Sequence, residues 1–268
     1  MQAQATGVSP SAAKPARALA SWRELGVPID IIDPTPATRE ELYRAHDASY
    51  VNAILECRAV NGFGTKAADL AASLPYTVGA MTSAAREAIR NGSVAVAPVS
   101  GFHHAHFAHP EGFCTFNGLM VAALALKAEG LARRVGILDL DQHYGNGTAD
   151  IIERLGIDWI EHFTAGSEYF LESQAEKFLR RLPEHVASMK SCDVILYQAG
   201  ADPHIEDPLG GWLSSEQLAQ RDRLVFEAAR ALGIPIAWNL AGGYQTPLRK
   251  VLLVHDNTMS AAVSIYLA

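Results

Sequence analysis

Short runs of Val, Ile and Leu without polar alternation are set apart along this chain by longer stretches in which apolar residues return every three to four positions. The runs at 27–32, 93–97, 134–140, 157–160, 193–197 and 234–240 read as strands. The stretches at 38–59, 78–90, 117–129, 148–154, 173–189, 214–232 and 247–266 read as helices. Strands that are apolar on both sides and separated by helices predict a mostly parallel sheet covered on both faces, a single-domain doubly wound α/β fold. Two helix starts carry caps: Thr38 stands three residues before Glu41, and Ser214 precedes Glu216 and Gln217. Residues 1–24 are rich in Ala, Ser and Pro, with Lys14, Arg17 and Arg23 ahead of the first acid. They read as a loosely ordered N-terminal arm in front of one domain spanning 25–268.

Four of the predicted strands run out into residues of another kind. His103 and His104 follow the strand at 93–97; Asp139, Asp141, His143 and Asn146 lie at and beyond the end of 134–140. Asp202 follows 193–197, and Gly242, Gly243 and Tyr244 follow 234–240. The carboxyl edge of an open α/β sheet is where ligands bind. Asp141 and His143 are separated by one residue, so at an extended strand end both side chains point the same way. Asp202 is the natural third ligand from another exit, and a set of two carboxylates and one imidazole suits Zn2+ or Fe2+ with an open, water-bearing position. Alone, the Asp-x-His pair reads better as a capped turn; the other three exits reverse that reading.

His103 and His104 are the candidate acid–base pair, because imidazole titrates near neutrality. Asp139 and Asn146 are their candidate partners. A carboxylate stabilises an imidazolium far more than a neutral amide does, so the two histidines are predicted to differ in pKa. The glycines before Tyr244 allow a close backbone approach that aims its phenol at an oxyanion.

Composition narrows the partners. The chain has 22 Lys+Arg against 29 Asp+Glu, a formal charge of -7, which argues against nucleic acid and anionic membranes as partners. No apolar run approaches the roughly 18 residues of a membrane span. The three cysteines, Cys57, Cys114 and Cys192, form no C-x-x-C pair and fit a reducing compartment, so a cytoplasmic location is expected. His106 and His109 flank the tandem pair and fit either a pocket rim or a solvated loop. The apolar stretch at 251–267 reads as core packing, and nothing in the sequence fixes an oligomeric state.

Taken together, SGFHHAHFAHPEGFCTFNG, LDLDQHYGNGTADII, YQAGADPHIEDPLGGW and NLAGGYQ closely resemble the signature blocks of the arginase/deacetylase superfamily, on its histone deacetylase-like branch. The fainter ATREELYRAHDASYVNAIL looks like that family's upstream helix around a histidine, here His46. The resemblance is to a short, bacterial-type member. It implies a doubly wound parallel sheet flanked by helices, residues 25–268 as the deacetylase-like catalytic domain, and zinc-dependent hydrolysis of linear amides. The substrate implied is a small acylated amine, such as an acetylated polyamine, or an acyl-lysine peptide.

Residue by residue, the resemblance makes Asp141, His143 and Asp202 the metal ligands, His104 the general base and His103 its neighbour paired with Asp139. Asn146 takes the place of the second histidine's partner, and Tyr244 that of the transition-state tyrosine. Phe113 matches an aromatic wall of the acyl-lysine tunnel, flanked by Gly112 and Cys114, with Gly243 also placed at the substrate. Some positions depart from the family pattern. Tyr144 follows His143 where relatives commonly have a second histidine. No long Gly- and Pro-rich loop follows residue 160, leaving Phe163, Tyr169 or Phe170 for the second wall, and the rim aspartate has no counterpart except Asp69, which looks helical. A monovalent-cation site is not assigned, since Ile160 or Glu161 stands where a hydroxyl residue is expected. The shortened loops predict a shallower, more open mouth. Two other readings compete: a non-catalytic acyl-lysine or small-molecule binding module on the same scaffold, and an arginase-type ureohydrolase, which needs more His and Asp ligands than these exits supply.

Overall fold

The computed structural model describes residues 13–267. Five strands, β1 (Val94–Ala97), β2 (Val135–Asp139), β3 (Ile160–Thr164), β4 (Val194–Gly200) and β5 (Ile236–Ala241), lie in the order β1-β5-β4-β2-β3. Every pairing is parallel. The inner strands β2, β4 and β5 are buried at every position, which is why their sequences lack polar alternation. Successive side chains leave on opposite faces. Ile195, Tyr197, Trp238 and Leu240 enter one apolar cluster, and Val194, Leu196 and Ala237 enter the other. The first face is covered by α1 (Lys14–Glu24), α7 (Ala175–Ser188), α8 (Ser215–Leu232) and α9 (Arg249–Tyr266). The second is covered by α2 (Arg39–Ala45), α3 (Ala48–Leu55), α4 (Ala68–Asn91), α5 (Gly118–Ala128) and α6 (Asn146–Leu155). The expected doubly wound architecture is the observed one.

Its elements differ from the sequence reading in five places, the last of them the N-terminal segment. Residues 27–32 form no strand. Pro28 withholds a donor from that run, and Val27 and Ile29 rest against the core while Ile31 and Ile32 are exposed. The helix expected over 38–59 breaks at His46, whose backbone is extended, and Asp47 starts α3 by accepting from the Tyr50 amide. Burial pushes the His46 imidazole down to about 4, so the ring is neutral. It donates from Nδ1 to the His106 carbonyl and accepts at Nε2 from the Asn117 amide, both at 2.9 Å. Helix α4 begins at Ala68, well before the expected 78, and carries Pro75 in its interior. The strand expected at 157–160 begins only at Ile160, because Gly156 in a left-handed conformation closes α6 and the next three residues are linker.

The N-terminal arm is the largest correction. Of the 24 residues expected to be loose, 1–12 lie outside the described residues, and from Lys14 they form α1. Its periodicity is hidden by alanines, yet Ala18 and Trp22 are fully buried and Trp22 packs on Trp238 with ring centroids 5.7 Å apart. Ser21 donates to Asp256 at 2.9 Å, tying α1 to α9. The helix is part of the core. Trp22→Ala is therefore expected to cost about 3–5 kcal/mol in denaturant unfolding; a loss near zero would show that α1 does not pack on the sheet.

Candidate active site

The sheet order places the carboxyl ends of β1, β5, β4 and β2 side by side, so the four strand exits converge. Two buried polar residues within the strands organise them. Gln198 on β4 donates to Asp139 Oδ1 at 3.2 Å and accepts from the Phe102 amide at 3.0 Å. Asn239 on β5 donates to the Ser100 carbonyl at 3.2 Å. The bonds to Phe102 and Ser100 fix the loop after β1 that carries the histidine pair. Neither residue was singled out in the sequence reading, although a Gln and an Asn inside apolar strands were a visible signal.

The strand exits bring Asp141, His143 and Asp202 together, with one ligand atom of each within 4.8 Å of the others. His143 Nδ1 lies 3.2 Å from Asp141 Oδ1 and 3.1 Å from Asp202 Oδ2. Both carboxylates are buried, and His143 is half-exposed. Burial and the neighbouring Asp141 push the Asp202 carboxyl up to about 7. Asp141 keeps its charge against burial because His103 and His143 hold it below the ordinary carboxylate range. Hydrogen bonds to Asp141 and Asp202 raise His143 to about 10. Two carboxylates buried this close need a cation between them, and the oxygen–nitrogen donor set fits a divalent one. Gly242, with φ +51°, makes room: a Cβ there would meet the Asp202 carboxylate at 2.2 Å.

The two histidines have different partners. His103 Nδ1 donates to Asp139 Oδ2 at 2.7 Å; burial opposes its charge, but Asp139 and Asp141 outweigh it and raise the imidazole to about 9. His104 Nδ1 donates to Asn146 Oδ1 at 2.6 Å, and burial together with the charge of His103 lowers it. Asn146 Oδ1 also accepts from the Gly147 amide at 2.9 Å, which fixes the amide's orientation and leaves His104 Nε2 as an acceptor. Burial raises the Tyr244 phenol above its ordinary value, so it stays protonated and can donate.

His103, His104, Asp141, His143, Asp202 and Tyr244 line a cavity of about 270 Å³ together with Glu111, Gly112, Phe113, Cys114, Leu209 and Gly242. Glu111 and Cys114 exchange backbone hydrogen bonds across a two-residue turn. Its central residues, Gly112 and Phe113, both have positive φ, as a type I′ turn requires. Phe113 in that region is strained by about 1–2 kcal/mol. The turn sets its ring 5.8 Å from that of Tyr244, and Cys114 is pushed up to about 12 by burial, so its thiol is inert.

Other expectations are not met. Gly243 does not line the cavity; its missing Cβ faces Val251 and Ala201. Phe163 stacks on His185, Tyr169 packs between Phe178 and Trp212, and Phe170 is exposed, so none forms a second wall. The aliphatic wall residue is Leu209. Because β3 starts late, Thr164 rather than Ile160 or Glu161 pairs with Asp139, so a hydroxyl residue does stand there. It accepts from the Gly145 amide at 3.1 Å. The sequence reading also missed Asp207 and Lys14. Asp207 accepts from the amides of Tyr244 at 2.7 Å and Leu209 at 3.0 Å, joining the two loops. Lys14, fully buried, donates to the carbonyls of Gly242 and Leu240, and burial pushes its ammonium down to about 8. An isolated Lys in an Ala- and Pro-rich segment gave no signal.

Comparison with known proteins agrees with the fold. The sequence profile of the histone deacetylase domain matches residues 11–170 and 161–255. An uncharacterized protein of Picosynechococcus is 28% identical over 89% of this chain and 87% of its own length. Acetylpolyamine amidohydrolase 2 of Pseudomonas aeruginosa is 30% identical over 53% of this chain, which spans 48% of that protein. The crystal structure of the HDA15 HD domain superposes with a TM-score of 0.78 at 20% identity, covering 97% of this chain and 85% of that one. With that domain profile spanning nearly all of it, the chain belongs to the histone deacetylase family.

Proposed function

We propose that this protein is a cytoplasmic, zinc- or iron-dependent deacylase that hydrolyses the linear amide of a small acylated amine or an acyl-lysine side chain. One observation carries the reading: a histidine whose Nδ1 is committed to Asn146 and whose Nε2 can accept a proton lies in one cavity with Asp141, His143, Asp202 and a protonated Tyr244. The similarity to an acetylpolyamine amidohydrolase favours a small amine substrate. Three free cysteines, and no helix among the described residues long and apolar enough to cross a membrane, fit the location.

Asp141, His143 and Asp202 would hold a divalent ion, which would supply Lewis acidity and make water a stronger nucleophile near neutral pH. His104 takes the proton of the attacking water at Nε2 as the new carbon–oxygen bond forms. Tyr244 donates to the oxygen that becomes negative, and His103, kept cationic by Asp139, adds positive charge beside it. His104 then returns its proton to the amine nitrogen as the carbon–nitrogen bond breaks. Phe113 and Leu209 hold the aliphatic stem and keep bulk water from the reacting carbon.

Replacing His104 by Ala is expected to lower kcat by about 10²–10⁴-fold, and Tyr244→Phe by about 10²–10³-fold, with KM little changed, in steady-state assays on an acetylated polyamine and an acetyl-lysine amide. Undiminished turnover by His104→Ala excludes it as the base. A chelator should abolish turnover, and re-addition of Zn2+ or Fe2+ should restore it; chelator-resistant turnover sinks the metal assignment. Because His104 is lowered from the ordinary 6.5, activity should persist below pH 6.5 and fall on further acidification as the base protonates. A decline already complete by pH 6.5 would contradict that environment.

A further inference from the structure

Beyond the ligand set at the strand exits, a second group of ligating side chains lies at the cavity mouth. We propose that His106, His109 and Glu111 form a separate site for a borderline first-row divalent cation such as Zn2+, and that its occupation reverses the charge of the mouth. One ligand atom from each lies within 4.8 Å of the other two, and none belongs to the Asp141, His143 and Asp202 set.

The local chain builds this arrangement. The His106 amide donates to the His109 carbonyl at 3.0 Å, closing a turn that brings the two rings to one side. Their rings stack, with centroids 4.1 Å apart and planes 13° from parallel, so the exposed His109 ring must turn out of the stack to aim a nitrogen at an ion shared with His106 and Glu111. His106 Nε2 stands 3.1 Å from Glu111 Oε2, close to the roughly 3.3 Å that separates two ligands of a tetrahedral ion with bonds near 2 Å.

The opposite nitrogen, His106 Nδ1, faces Asp150 Oδ2 at 3.4 Å. A carboxylate behind a ligating imidazole is how proteins fix the tautomer and raise the basicity of a metal-binding histidine. Asp150 is itself held, accepting from the Phe107 amide at 2.9 Å, and the buried His46 holds the His106 carbonyl at 2.9 Å. The backbone under the site is therefore rigid, while His109 and Glu111 are exposed and leave a position for water.

Glu111 joins this cluster to the catalytic cavity, which it lines. Its other oxygen, Oε1, accepts from Asn146 Nδ2 at 3.0 Å, the amide that holds His104. Without an ion the mouth presents a carboxylate, which attracts a cationic tail on the substrate. A dication held by two neutral imidazoles and one carboxylate leaves a net positive charge there instead. This charge effect rests on the deacylase reading; the ion site itself does not.

The test is equilibrium dialysis of the metal-loaded protein against excess Zn2+, with total zinc counted per chain, beside steady-state kinetics. Wild type should bind one ion more than His109→Ala, and Asp150→Asn should weaken that ion by about tenfold. With zinc bound, KM for an acetylated polyamine should rise several-fold, KM for an uncharged acetamide should not, and His109→Ala should abolish the response. Equal zinc stoichiometry in wild type and His109→Ala overturns the site, and an unchanged KM with the second ion bound overturns the charge reversal. If no acylated amine is turned over, the deacylase reading fails alone, because the dialysis still decides the ion site.

Discussion

Everything at the carboxyl edge of this sheet answers to one electrostatic constraint, the burial of Asp141 and Asp202 beside each other. Two like charges about 4 Å apart at an effective dielectric near 20 repel by roughly 4 kcal/mol, and a ligand oxygen of each aspartate lies within 4.8 Å of the other. Burial first, and then that repulsion, push the Asp202 carboxyl up from 3.8 to about 7. His103 and His143 offset part of that cost from the cavity side. The residue types around the pair follow from the same demand. Gly242 leaves the Asp202 carboxylate the room that any Cβ would take, and Gly200 does the same for Asp141.

Positive charge also reaches the pair from beneath the strands. Lys14 on α1 holds the carbonyls of Leu240 and Gly242, at and beyond the end of β5. Arg221 on α8 holds the carbonyls of Leu140 and Gly200, where β2 and β4 end, at 3.1 and 2.6 Å. The strand ends that deliver Asp141, Asp202 and Tyr244 are thus fixed by two buried cations whose fields favour the carboxylates above them. Burying an ammonium and a guanidinium is costly unless every partner is in place. That cost is a reason for α1 to be docked firmly, and it links the N-terminal segment to the loop bearing Tyr244.

How much of this was legible depended on whether a residue's role is local. Asp141, His143 and the His103–His104 pair announce themselves by spacing, and apolar runs marked β2, β4 and β5. Elements failed where a local cue competed with a tertiary one. Pro75 hid the first turns of α4, and alanines hid the packed face of α1. Residues 27–32 are β-branched enough for a strand, but Pro28 withholds a donor from the run, and Val27 and Ile29 pack on the core while Ile31 and Ile32 are exposed. In the site, Leu209 and Asp207 belong to a loop whose position is set by Tyr244's backbone, and Lys14 reaches Gly242 across more than two hundred residues. No spacing rule connects such pairs. The late start of β3 shows how a small register error propagates: moving the strand by three residues replaces Glu161 with Thr164 as the neighbour of Asp139.

The two adjacent histidines show how one substitution of partner divides their labour. Both rings donate from Nδ1, their centroids are 4.0 Å apart, and both are largely buried. The difference is the acceptor. A full carboxylate, Asp139, makes His103 a cation near neutral pH, and that charge, added to burial, depresses His104. Were both partners carboxylates, both rings would be drawn toward the charged form and neither would be a good acceptor at neutral pH. Were both amides, no positive charge would stand beside the developing oxyanion. An aspartate on one histidine and an asparagine on the other lets a single sequence repeat, His-His, supply a fixed charge and a free base side by side.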